Sequence, residues 1–207
     1  MNAEEAAEPP IYGIVLASGS STRFGDGNKL LATVDGASVL FRTVAAYCAA
    51  TRETLVVLQE GDEAVAAELA SSTVRIIWNG EYRQGQSAAL RLGVAALPDD
   101  AAAAVIGVAD QPLLLASTIE ALTTSWLRER IATVVPVYKG CPGNPVLFSR
   151  GLFPDLLAVT GDLGGREVMR RHPSRHVVIE EWWTALDVDT EEDLSVARQC
   201  VLTPPRA

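Results

Sequence analysis

Two cations and three carboxylates set the chemistry open to this chain. Arg23 and Lys29 stand within residues 16–31, L-A-S-G-S-S-T-R-F-G-D-G-N-K-L-L, a stretch dense in glycine and small hydroxyls. Backbone N–H groups unobstructed by Cβ, hydroxyls and two fixed positive charges suit a polyphosphate. The alternative is a solvated surface loop in which both cations meet only water. Two familiar phosphate loops are excluded. A P-loop needs Gly before its Lys and Ser or Thr after it, whereas Asn28 and Leu30 flank Lys29. The dinucleotide fingerprint G-x-G-x-x-G is not matched by the spacing of Gly19, Gly25 and Gly27.

Asp110 follows an apolar stretch directly and is held by Pro112 two residues on. A carboxylate there, beside a phosphate loop, is a candidate Mg²⁺ ligand, since Mg²⁺ takes one or two protein carboxylates and completes its shell with water and phosphate. The competing reading is an Asp that caps the next turn. In D-V-D, Asp187 and Asp189 share one face of a strand by the two-residue period. Asp187 could instead pair with a surface Arg, and Asp189 could cap the last helix. Asp110 with Asp189 would give Mg²⁺ two anionic ligands from distant parts of the chain.

Further polar groups lie where apolar segments break. Gln84, Gly85, Gln86 and Ser87 supply two amides and a hydroxyl before a helix, groups able to read a nucleobase edge; a Ser cap is an equal reading. Asn144 and Pro145, then Gly161, Asp162 and Arg166, form later polar breaks, and Arg166 is placed to face a phosphate or to be solvated. His172 and His176 show no metal-ligand spacing. Trp182 and Trp183 read as packing or an interface patch. No Ser-His-Asp or Cys-His arrangement stands out.

The elements that must position these residues alternate. Residues 11–17 are apolar on both faces, as a central parallel strand requires, so the first polar loop lies at its carboxyl end, where ligands bind in open α/β sheets. Strands follow at 55–58, 74–78, 101–109 and 132–137, interleaved with helices at 37–50, 64–70, 88–96 and 118–130. This predicts an α/β fold of three layers, a mostly parallel sheet with helices on both faces. Beyond 136 the pattern changes: a short strand in N-P-V-L-F, helices at 153–159 and 167–171, a strand at 177–180 and another at 185–189, and a final helix capped by Thr190 with Asp193. These residues read as a small lobe. We expect one domain, with 11–136 as one half and 137–200 as the other.

Composition narrows the partners. At 48% hydrophobic and 21% charged the 207-residue chain is ordinary globular material. A net charge of −9 disfavours nucleic acid and anionic membranes. Cys48, Cys141 and Cys200 are scattered, which gives neither a disulfide framework nor a zinc site. The acidic start lacks the apolar stretch of a signal peptide, and no apolar run is long enough to span a membrane. A cytoplasmic location is expected.

The motifs together resemble the MobA-like nucleotidyltransferases, which share the nucleotide-diphospho-sugar transferase type of fold. The signature L-A-x-G-x-S-x-R-x-G-…-K is matched by Leu16, Ala17, Gly19, Ser21, Arg23, Gly25 and Lys29. G-Q-S (85–87), D-Q-P (110–112), N-P-V-L-F (144–148), G-D-L-G-G-R (161–166) and D-V-D-T-E-E-D-L (187–194) follow in family order. Within the family the likeness is nearest to the molybdenum cofactor cytidylyltransferases. Two departures are visible: Ser18 replaces an Ala of L-A-A-G, and Pro142 and Asn144 stand where R-G-H-P-V has Arg and His, which touches the acceptor side.

The resemblance implies transfer of CMP from CTP to the phosphate of a molybdopterin-type acceptor, with pyrophosphate released. Leu16, Ala17, Ser18, Gly19, Ser20, Gly85 and Ser87 would bind the nucleotide, with Arg23, Lys29 and Asp110 as catalytic residues. Asp110 and Asp189 would hold Mg²⁺. Asn144, Pro145, Gly161, Asp162 and Arg166 would bind the acceptor, and a molybdoenzyme is a possible recipient of the product. The competing readings are guanylyl or other nucleotidyl transfer, including to a methylerythritol phosphate, a nicotinamide-linked reductase, and a cofactor carrier.

Overall fold

The computed structural model describes residues 8–19, 24, 27–161 and 164–205. Ser20, Arg23 and Asp162 of the expected site lie outside the described residues. The chain opens with β1 (Ile11–Ala17), a small ribbon of β2 (Thr33–Val34) and β3 (Ala37–Ser38), and α1 (Val39–Ala50). It continues through β4 (Thr54–Gln59), α2 (Glu63–Ala67), β5 (Val74–Asn79), α3 (Gln86–Ala95), β6 (Ala103–Val108) and α4 (Ala116–Glu129). The remainder comprises β7 (Thr133–Tyr138), β8 (Cys141–Pro142), β9 (Val146–Ser149), α5 (Phe153–Leu157), α6 (Gly164–Arg171), β10 (Ser174–Ile179) and α7 (Glu191–Leu202).

Among the described residues the main sheet has the order β10-β7-β9-β6-β1-β4-β5, with β8 attached to β7. The pairs β1–β4, β1–β6, β4–β5 and β7–β10 are parallel. β1 is central because it is apolar on both faces. Val15 and Ala17 enter one core with α1, α2, α4 and α7; Tyr12 and Ile14 enter the other with α3, α5 and α6. This is the three-layer, mostly parallel architecture that the alternation predicts.

β9 is the exception, antiparallel to both β6 and β7. A parallel return needs a crossover of a dozen residues or more, and the link from β7 to β9 is too short. Lys139 and Gly140, both with positive φ (47° and 81°), turn the chain back. β9 and β10 thereby join the same sheet as β1, so the late elements extend it.

One expected element is corrected. Residues 185–189 form no strand; a single 3₁₀ turn, Trp182–Ala185, leads into unpaired extended chain. In place of a ladder, the Val188 N–H donates to the Asp110 carbonyl at 2.9 Å. The final helix is as expected. Thr190 caps it, its hydroxyl accepting from the Asp193 N–H while the Asp193 carboxylate accepts from the Thr190 N–H. Cys48, Cys141 and Cys200 are free thiols. No helix among the described residues is long and apolar enough to cross a membrane.

Candidate active site

The carboxyl ends of β1 and β6 lie side by side, and the Ala109 N–H donates to the Leu16 carbonyl at 3.1 Å just past the ladder. Asp110 is therefore fixed by its backbone on both sides, from Leu16 through Ala109 and from Val188. Its Oδ2 accepts from Lys29 Nζ at 2.5 Å, and the same ammonium reaches Asp189 Oδ1 at 2.7 Å. The reading of Lys29 as a solvated cation is thus overturned. Burial alone would lower its pKa, but Asp110 and then Asp189 hold it above the ordinary lysine value.

Asp187 comes to the same place. Gln111, itself buried, donates from Nε2 to Asp187 Oδ1 at 2.9 Å. Loss of water around the carboxylate, and next the Asp110 charge, push Asp187 up to about 6 despite that hydrogen bond. Asp193 acts on Asp189 from behind: its Oδ2 accepts from the Asp189 N–H at 3.1 Å. Its hydrogen bonds with Thr190 hold its own carboxyl below the usual range.

Two cavities open on this cluster and share Asp110. One, about 270 Å³, is lined by Leu16, Ala17, Ser18, Gly19, Lys29 and Gly85, with Tyr82 and Gln86 opposite. The other, about 280 Å³, runs over Gly107 to Asn144, Arg166, Met169 and Asp187. Leu16 and Gln86 also line both. The expected nucleotide and acceptor residues thus sort onto two adjoining chambers. Three fall elsewhere. Ser87 lies inside α3, with Gly85 at the cap position, and its hydroxyl accepts from Arg91 at 3.3 Å. Pro145 backs Gly107 from behind the floor. Gly161 is exposed at a turn with φ 69°.

Sequence reasoning missed the groups that hold the loops. Asn79, fully buried at the end of β5, donates to Ser18 Oγ at 3.1 Å and accepts from the Glu81 N–H at 2.9 Å. It ties the first polar loop to the second. The signal was an Asn at a strand's end, but its partner is 61 residues away. Gln111 was visible only as the middle of D-Q-P.

A divalent cation fits this donor set. Asp110 Oδ1 is buried with no protein hydrogen-bond partner, and such an orphaned anionic oxygen is costly unless a cation or water meets it. No group of three or more His, Cys, Asp or Glu side chains among the described residues is arranged for a metal.

Comparison with known proteins gives the family. The chain is 29% identical over 205 residues to nicotine blue oxidoreductase of Paenarthrobacter nicotinovorans, covering 90% of this chain and 95% of the relative. It is 25% identical over 188 residues to molybdenum cofactor cytidylyltransferase of Escherichia coli K12, covering 90% and 94%. The crystal structure of Rv0371c from Mycobacterium tuberculosis H37Rv superposes with a TM-score of 0.81 at 27% identity, over 92% of this chain and 98% of that one. Its complex with manganese gives 0.77 at 25% identity, with the same coverage. The MobA-like NTP transferase domain matches residues 13–177, and with the two adjoining chambers at the carboxyl ends of β1 and β6, the chain belongs to the MobA-like nucleotidyltransferase family.

Proposed function

We propose that this enzyme transfers CMP from CTP to the terminal phosphate of a molybdopterin-type acceptor. The observation that carries the reading is the sharing of Asp110 by two chambers, one lined by the glycine-rich loop and the other by Asn144 and Arg166. A donor in the first and an acceptor in the second would meet at that carboxylate.

The acceptor phosphate is already anionic, so no general base is required. One of its oxygens forms a bond to the α-phosphorus of CTP. The bond from that phosphorus to the β-phosphate oxygen breaks, and pyrophosphate leaves with the electron pair. Catalysis is then positioning and charge neutralisation. Residues 11–136 would supply the nucleotide half and 137–200 the acceptor half. Ala17, Ser18, Gly19 and Gly85 would hold CTP, while Asn144 and Arg166 would orient the acceptor. Arg23 would join the triphosphate. Asp110 and Asp189 would hold Mg²⁺, whose charge offsets that of the phosphate oxygens. In the free protein Lys29 neutralises the same two carboxylates; with substrate bound its ammonium would turn to the leaving pyrophosphate.

The test is pyrophosphate release with Mg²⁺ and a molybdopterin acceptor, with CTP, GTP and ATP compared. Release with CTP alone is expected; release with GTP alone would move the reading to guanylyl transfer. The likeness to nicotine blue oxidoreductase favours one second reading, a nicotinamide-linked reductase. NADH oxidation by the purified protein with a dye acceptor, without pyrophosphate release from any nucleotide, would select it.

A further inference from the structure

A third cavity, about 340 Å³, continues from the acceptor chamber and shares Asn144, Val146, Arg166 and Met169 with it. Its far wall adds Arg170 of α6 and Ser174 and His176 of β10. Arg166 and Arg170 are four residues apart on one helix, so their side chains leave the same face about 6 Å apart. His176 arrives from the edge strand, in register with Val135 on β7, and Ser174 is two residues before it on the same face.

The charge balance of this cavity opposes that of the molecule. The chain carries −9 overall, yet no carboxylate among the described residues lines the cavity. Two basic residues nearby have acidic partners, Arg175 with Glu129 at 3.3 Å and His172 with Asp155 at 2.6 Å. Neither Arg166 nor Arg170 is within ion-pair distance of a carboxylate among the described residues. Guanidinium groups set around a concave surface of Val135, Val146 and Met169 form an anion subsite with an apolar floor.

We propose that this cavity binds a second anionic group of the acceptor, at the end remote from the phosphate that reacts. The substrate class is therefore a dianionic acceptor: a transferable phosphate at one end, an apolar or planar middle, and a phosphate, carboxylate or oxyanion-bearing head at the other. The inference rests on the second chamber being the acceptor chamber. Arg170 and His176 act only on the remote group and do not touch the reacting phosphate.

The experiment measures binding of two synthetic probes, pentyl phosphate and pentane-1,5-diyl bisphosphate, to the full-length protein with Mg²⁺ present. CTP binding is measured in parallel. Wild type should prefer the bisphosphate by about tenfold or more, as one charge-assisted contact implies. The double variant Arg170→Ala/His176→Ala should lose that preference and keep its affinity for pentyl phosphate and CTP. Arg171→Ala removes a neighbouring cation from the same last turn of α6 without touching the cavity, and should leave the preference intact. Equal binding of the probes by wild type, failure of both to bind, or equal loss of preference in Arg171→Ala would overturn the subsite. Loss of CTP binding in wild type with the bisphosphate preference intact would sink the nucleotide reading and leave the subsite standing.

Discussion

Lys29 is the residue on which the free site turns. It joins carboxylates 81 and 160 positions away in the chain, and its removal takes away the ammonium that bridges Asp110 and Asp189. Because Asp189 is 46% exposed, the cost is at the low end for a broken ion pair, about 1–2 kcal/mol. Lys29→Met should therefore unfold at a lower temperature without metal, and added Mn²⁺ should restore it more than it raises wild type. Equal metal shifts in both proteins would show that the carboxylates do not take the ion. Turnover should fall at least about a hundredfold, the usual scale for losing one charge that stabilises a transition state.

Asp187 gives a prediction of opposite sign to that of an ordinary acid. Its folded-state value is about 6 against 3.8, so the folded protein holds the proton more tightly than the unfolded chain. This stabilisation is complete below 3.8 and is lost as pH rises through about 6. In denaturant unfolding without metal, Asp187→Asn should lose less stability, or gain more, than wild type as pH rises from 4 to about 6, since Asn keeps the Gln111 hydrogen bond. A greater loss in the variant over that range would contradict the assignment.

At the scale of elements, the floor of the acceptor chamber depends on Gly107 in β6. A Cβ there would sit 2.3 Å from the Tyr47 hydroxyl and 3.1 Å from Pro145 Cβ. Gly107→Ala should cost about 1–3 kcal/mol by overpacking. The Tyr47 hydroxyl is buried and has no partner, so Tyr47→Phe alone should be close to neutral. Tyr47→Phe combined with Gly107→Ala should recover most of the loss; strict additivity in thermal or denaturant unfolding would show that the hydroxyl is not the obstacle. The α7 cap is a second handle. Thr190→Ala should cost about 1 kcal/mol and weaken Mn²⁺ binding, because Asp193 then loses a partner while it holds the Asp189 N–H.

The same elements show what could be read in advance. β1 was legible because both of its faces are apolar, and α7 because its cap is local. The D-V-D segment was misread as a strand because its backbone anchor is the carbonyl of Asp110, 78 positions away, and alternation in sequence cannot report a missing ladder. The convergence of Asp110 and Asp189 was legible, but Lys29 as the ion between them was not. The cavity wall at His176 was illegible too, since that residue reaches Asn144 and Arg166 only through the parallel register of β7 and β10.

The whole molecule separates two charge environments on an acidic chain. One end of the cleft gathers Asp110 and Asp187, with Asp189 joined to Asp110 through Lys29; the other presents Arg166 and Arg170 with no carboxylate among the described residues of its wall. Under the proposed function a divalent cation would sit at the first, an anionic acceptor along the second, and the nucleotide over the glycine-rich loop. The edge strands β5 and β10 are far from one another in the sheet order, and the site sits beside β1 and β6 at its middle.

The most direct test of the central proposal is pyrophosphate release by the full-length protein with CTP, Mg²⁺ and molybdopterin acceptor, run beside Asp110→Asn. The account predicts release that requires both the acceptor and CTP and falls at least about a hundredfold in a folded Asp110→Asn variant. Release undiminished in that variant, or no release from any nucleotide alongside NADH oxidation, would contradict it.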